Sequence, residues 1–119
     1  MIHDVCPANE LIDGELRTVA VGPRTIGLLR HGTEVVAFHD RCPHQGAPIC
    51  TSGRLRPLLS GESVGDVRSE PGRRVLVCPW HGWEFEASTG RALAGSPYRL
   101  KLFAARIEAG RVLVELGAT

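Results

Sequence analysis

Two short segments carry the residues with the most chemistry. Arg41 to Cys50 reads RCPHQGAPIC, and Cys78 to Phe85 reads CPWHGWEF. Each supplies one thiol and one imidazole, as Cys42-x-His44 and Cys78-x-x-His81. Two thiolates and two imidazoles suit either a tetrahedral zinc ion or an iron–sulfur cluster in which His replaces Cys on one of two irons. Ligand count leaves both open, but the distribution separates them. A structural zinc site of this composition pairs Cys with Cys in one turn and His with His on a helix, whereas here every turn holds one of each. Two such mixed loops, set face to face, would bring both thiolates to one metal and both imidazoles to the other.

CPHQGAP and CPWHGWEF, with the later Thr89-Gly90 and Ser96-Pro97 turns, resemble the two cluster-binding loops and the covering proline loop of Rieske-type 2Fe-2S domains. The likeness is greatest to Rieske ferredoxins and to the Rieske domain of ring-hydroxylating oxygenases, and it runs over nearly the whole chain. It implies one Rieske 2Fe-2S cluster per chain, with Cys42 and Cys78 on one iron and His44 and His81 on the other. It also implies supporting positions at Gly46, Trp80, Gly82 and Pro97.

Several neighbours have physical roles of their own. Gly46 and Gly82 can take positive φ and let backbone amides point toward cluster sulfurs. Pro43 and Pro79 stiffen the loops. Trp80 is the aromatic expected to shield the metal, while Trp83 and Phe85 are expected as plain core. Cys6 and Cys50 have no partner pattern and are expected as small buried apolar residues. His3, His31 and His39 read as surface or strand-end residues, of which His39 alone is near enough to the first loop to tune it.

High-potential Rieske proteins of respiratory complexes resemble this pattern but add a cysteine to each loop and place Ser and Tyr after the second His-Gly. Here the corresponding positions are Ala47, Trp80, Trp83 and Phe85. Hydroxyl donors to cluster sulfur stabilise the reduced, more negative form, so their loss implies a low potential. The imidazole nitrogens away from iron are expected to face solvent and to gain proton affinity on reduction.

The elements that must position these loops read as strands. Leu16 to Val21, Thr25 to Arg30 and Val35 to His39 are short, apolar-rich and separated by Gly22-Pro23 and His31-Gly32, which predicts an antiparallel meander. Leu102 to Ile107 and Val112 to Leu116 flank Ala109-Gly110, a hairpin signal. Val64 to Ser69 and Val75 to Cys78 flank Pro71-Gly72, predicting a second hairpin that delivers Cys78. At most Ala8 to Leu11 makes one helical turn. The expected fold is all-β, a Rieske-type antiparallel sandwich or barrel with a small cluster-binding subdomain, forming a single domain over residues 1–119. Thr51 to Arg74 reads as a polar, Arg-rich insertion on the cluster side, suited to contact with a partner.

Composition bounds the function. With 119 residues, 43% hydrophobic and 23% charged, the chain fits one globular domain. Fourteen basic against thirteen acidic residues, net +1, give no basic run for nucleic acid. No segment reaches the ~18 apolar residues of a membrane helix, and MIHDVCPANE is not a leader, so a reducing cytoplasm is expected. Only residues 98–119 follow Pro97, too few for a catalytic oxygenase domain. The expectation is a one-electron carrier, more a non-catalytic component than an enzyme, passing electrons from a flavin reductase to a terminal oxygenase. Two alternatives are a small subunit of a larger oxidoreductase such as nitrite reductase, and a non-redox zinc module.

Overall fold

A computed structural model describes residues 2–43, 46–57, 74–80, 82–93 and 97–116. The predicted meander is there: β2 spans Leu16–Val21 as expected, β3 extends by one residue at each end to Arg24–His31, and β4 starts one residue earlier, at Glu34–His39. Register runs Val21↔Arg24 across the first turn and His31↔Glu34 across the second, so each connection is the two-residue loop that matches strand twist. The terminal hairpin pairs Leu102–Glu108 (β8) with Arg111–Glu115 (β9) about Ala109-Gly110.

The sequence pattern missed the first strand. Ile2–Pro7 (β1) lies antiparallel to β9 and is followed by a single 3-10 turn at Ala8–Glu10, where a helical turn was expected. β1 alternates poorly because it is an edge strand, with Cys6 the one fully buried side chain along it. The resulting sheet has the order β1-β9-β8-β4-β3-β2, antiparallel throughout.

A second sheet of three strands, β5-β6-β7, comprises Arg54–Pro57, Arg74–Val77 and Glu84–Glu86. This sheet bears on two expectations. Arg74–Val77, which delivers Cys78, pairs with Arg54–Pro57 and with Glu84–Glu86, so its hairpin partner among the described residues is β5. The expected strand at Val64 to Ser69 lies outside the described residues. Of the expected insertion, Thr51 and Ser52 end a one-turn helix, α1 (Ile49–Ser52), and Arg54–Pro57 and Arg74 belong to the small sheet, while residues 58–73 lie outside the described residues. Punctuation by Gly53 and Pro57 concealed a strand of only four residues, below the length at which alternation is legible.

Among the described residues two main apolar cores result, beside a small cluster of Val75 and Val77. One, inside the large sheet, holds Ile26, Leu28, Val35, Ala37, Phe103, Val112 and Val114. The other gathers Leu29 and Phe38 from the large sheet, Leu76 and Phe85 from the small one, Ile49, and the thiols of Cys42, Cys50 and Cys78. β3 and β4 contribute to both, so they are buried on both faces and read as near-continuous apolar runs. At Gly27 the approach is so close that a Cβ would stand 2.5 Å from Cys50 Sγ, which explains a glycine in the middle of a central strand.

Candidate metal centre

The first loop leaves β4 at His39 and is closed by its own backbone. Cys42 N–H donates to the Ala47 carbonyl at 2.8 Å, and Gly46 N–H donates to the Cys42 carbonyl at 2.7 Å. Gly46 sits at φ +78°, the left-handed conformation that a side chain would strain. The second loop leaves β6 at Val77 and returns through Cys78 N–H donating to the Trp83 carbonyl at 2.7 Å, with Gly82 at φ +68°. Both glycines thus serve the tight turns expected of them. Among the described residues of the loops, Trp80 N–H points at Cys78 Sγ at 3.4 Å.

Cys42 and Cys78, distant in sequence, end side by side. Both are free and almost fully buried, at 1% and 3% exposure, in the same apolar core, and near enough to influence one another's proton affinity. Burial pushes the Cys78 thiol up; the Trp80 amide at its sulfur pulls it down, and the Cys42 thiol beside it pushes it up again. Two thiols facing each other in an apolar pocket, one already receiving a backbone N–H, form a donor set for a metal that takes thiolate ligands: the bound cation would supply the positive charge the pocket lacks. Among the described residues no three His, Cys, Asp or Glu side chains gather in one place. His44 and His81, the expected imidazole ligands, lie outside the described residues.

Trp80 is 46% exposed, and its backbone amide reaches the Cys78 sulfur. Phe85 is fully buried, as a core residue should be. Half-buried Trp83 stacks on Phe85 with centroids 6.4 Å apart and meets Tyr98 edge-on at 5.3 Å. Through Tyr98 the segment after the proline turn is anchored against the second loop. Pro97 itself is exposed, and residues 94–96, where a turn is expected, lie outside the described residues.

Cys6 and Cys50 are buried free thiols, as expected. Burial, then the Asp40 carboxylate, drive the Cys50 thiol up to about 12, opposed by the Gly27 amide. His39 packs edge-on against Phe103 at 6.1 Å. Burial lowers its proton affinity, and Lys101, Arg24 and Arg41 lower it further.

One residue of the site was not legible beforehand. Asp40 Oδ1 accepts from Cys50 N–H at 2.6 Å and Thr51 N–H at 3.1 Å, and Oδ2 takes the Thr51 hydroxyl. Its carboxylate caps α1 from across the loop, tying the residue two before Cys42 to the residues after Ile49. No local pattern announces this, because a cap normally sits next to its helix and here eight residues intervene (41–48).

Comparison with known proteins agrees with the geometry. The family model described as the Rieske [2Fe-2S] domain matches residues 1–104. The ferredoxin component of the alkene monooxygenase system of Xanthobacter autotrophicus is 31% identical over 111 residues, 93% of this chain and 78% of its own. The ferredoxin component of the naphthalene 1,2-dioxygenase system of Pseudomonas aeruginosa is 28% identical over 114 residues, 95% of this chain and 93% of its own. Longer relatives are matched over a fraction of their length, down to 11% of apoptosis-inducing factor 3 of Homo sapiens. Among solved structures, a chain assigned as an NADH-dependent nitrite reductase small subunit from Mycobacterium tuberculosis superposes with a TM-score of 0.72, covering 100% of this chain and 97% of that one at 22% identity. At that identity the likeness is one of fold.

Proposed function

Because the chain belongs to the Rieske [2Fe-2S] domain family, we propose that it is a ferredoxin-type carrier that takes one electron from a flavin reductase and hands it to a terminal oxygenase. The observation that carries this reading is the pair of buried, adjacent thiols of Cys42 and Cys78, brought together from two loops of the family-matched region. Cys42 and Cys78 would hold one iron, and His44 and His81 the other. The bound cluster supplies a reversible one-electron couple.

The chain's own residues do the rest. The backbone-closed loops hold the thiols in place, so little reorganisation accompanies electron uptake. The Trp80 amide offers a donor to thiolate sulfur. Ala47 and Phe85, both buried, bring no hydroxyl, and Trp83 has none to bring. The potential therefore belongs at the lower end of the Rieske range, about −150 mV. Among the described residues no helix is long and apolar enough to cross a membrane, in keeping with a carrier that diffuses between partners in the cytoplasm.

The oxygenase-system ferredoxins matched over most of their length favour this role. A second reading, the small subunit of a nitrite reductase, draws on the fold likeness to such a chain. A flavin reductase gene and an oxygenase gene beside this one support the first; a large reductase subunit gene supports the second. The direct test is anaerobic purification with iron and acid-labile sulfide analysis, then electron paramagnetic resonance after dithionite reduction. A low-average-g Rieske signal is expected. Protein made with ample iron that holds no labile sulfide and shows no reversible couple overturns the reading.

A further inference from the structure

Positive charge is spread unevenly over this nearly neutral chain. Arg17, Arg56, Arg106 and Arg111 each form an ion pair, with Glu10, Glu84, Glu108 and Asp4. Arg30 donates to two backbone carbonyls. Arg41, Arg91, Arg99 and Lys101, all exposed, make no ion pair or side-chain hydrogen bond among the described residues. Arg54 shares that condition but lines a groove with Glu15.

Strand geometry brings those four cations together. His39 N–H donates to the Lys101 carbonyl, which seats Lys101 beside the end of β4. Leu100 is buried, so alternation turns Arg99 and Lys101 outward on the same side. Arg91 bridges directly to Arg99 on the neighbouring chain segment. Arg41 follows His39 by two residues and lies against the first loop, its guanidinium 3.3 Å from where a Gly46 Cβ would stand. Lys101 and Arg24 both lie over the Phe103 ring, at 5.5 and 5.8 Å. The fields of Lys101, Arg24 and Arg41 meet at the His39 ring. The carboxylate nearest that ring, Asp40, is engaged by α1.

Like charges directly opposite on paired strands are destabilising, so Arg91 facing Arg99 is a cost of the free state that an external anion would offset. We propose that Arg41, Arg91, Arg99 and Lys101 form the docking surface for a carboxylate-rich face of a partner protein. Four separate point charges on an open surface suit distributed Asp and Glu side chains better than a single small anion. Arg41 borders the loop that carries Cys42, so a partner seated here lies beside the route by which charge leaves. The proposal rests on the electron-carrier reading for its purpose and adds the chemistry of the partner.

The test uses the full chain as purified, with poly-L-glutamate and a DNA duplex as probes at low salt. A patch variant (Arg91→Glu, Arg99→Glu, Lys101→Glu) is set against a flank variant with the same change of charge (Arg17→Glu, Arg106→Glu, Arg111→Glu). Wild-type protein is expected to bind poly-L-glutamate in a salt-sensitive manner. The patch variant should lose at least ~tenfold in affinity and the flank variant no more than ~twofold. Neutral Arg99→Gln with Lys101→Gln should lose an intermediate amount, which keeps the comparison open if a charge reversal prevents folding. Equal losses in patch and flank variants, or no binding by wild type, overturn the proposal. Tighter binding to the duplex that depends on the patch overturns the choice of partner. Iron and sulfide are measured on the same samples. Colourless protein with patch-dependent binding sinks the carrier reading alone, and cluster-loaded protein without patch dependence sinks this proposal alone.

Discussion

At the scale of single residues, Gly27 against Cys50 is a close fit between two elements of the core. A methyl group at Gly27 would meet Cys50 Sγ at 2.5 Å and Cys50 Cβ at 2.8 Å. Gly27→Ala should cost about 2–3 kcal/mol in denaturant unfolding, and adding Cys50→Ala should return only part of it, because the Cβ contact remains. Cys50 also makes a pH prediction. Its thiol sits at about 12 in the folded chain, from an ordinary 9.0, so folding favours the protonated form. That stability is fully present below pH 9 and is lost as pH rises from 9 toward 12. Unfolding free energy measured over that window should fall more steeply for wild type than for Cys50→Ala.

At the scale of elements, Asp40 matters more than its place outside the motifs suggests. α1 is a single turn whose N-terminal neighbour, Pro48, offers no side-chain cap. The Asp40 carboxylate takes over that role and closes the first loop into a ring. Asp40→Ala should destabilise by about 1–3 kcal/mol and raise amide exchange at Cys50 and Thr51, while Asp40→Asn, which keeps an acceptor oxygen, should fall between. In the small sheet, Arg56 reaches across to Glu84 at 2.8 Å, with side chains 22% and 37% exposed. Solvent screening limits that pair, and a double-mutant cycle should read about 0.5–1 kcal/mol.

At the scale of the whole molecule, the division into two cores predicts an uneven response to loss of metal. The thiols of Cys42 and Cys78 belong to the core shared with the small sheet, whereas the core within the large sheet contains neither. Chelation of iron should therefore strip hydrogen-exchange protection from β5, β6 and β7 first, with β3 and β4 retaining theirs. Replacing His44 or His81 by Cys should abolish the Rieske resonance signature, read by electron paramagnetic resonance, with the large sheet still folded by circular dichroism.

How much of this was legible beforehand follows from the range of the forces involved. The meander, the terminal hairpin and the paired Cys-His loops are written locally, in alternation of period two, in two-residue turns and in ligand spacing, so the sequence alone determined them. β1 and β5 were not legible, since an edge strand and a four-residue strand carry too little alternation to stand out. Asp40, reaching α1 across the loop, and the Arg91–Arg99 pairing are contacts between segments with no shared local pattern. Only the tertiary structure decided which amide reaches the Cys78 sulfur, that Trp80 is exposed while Phe85 is buried, and that Arg91 stands opposite Arg99. Each depends on how distant strands register against one another, and register is a property of the packed sheets, not of any single segment.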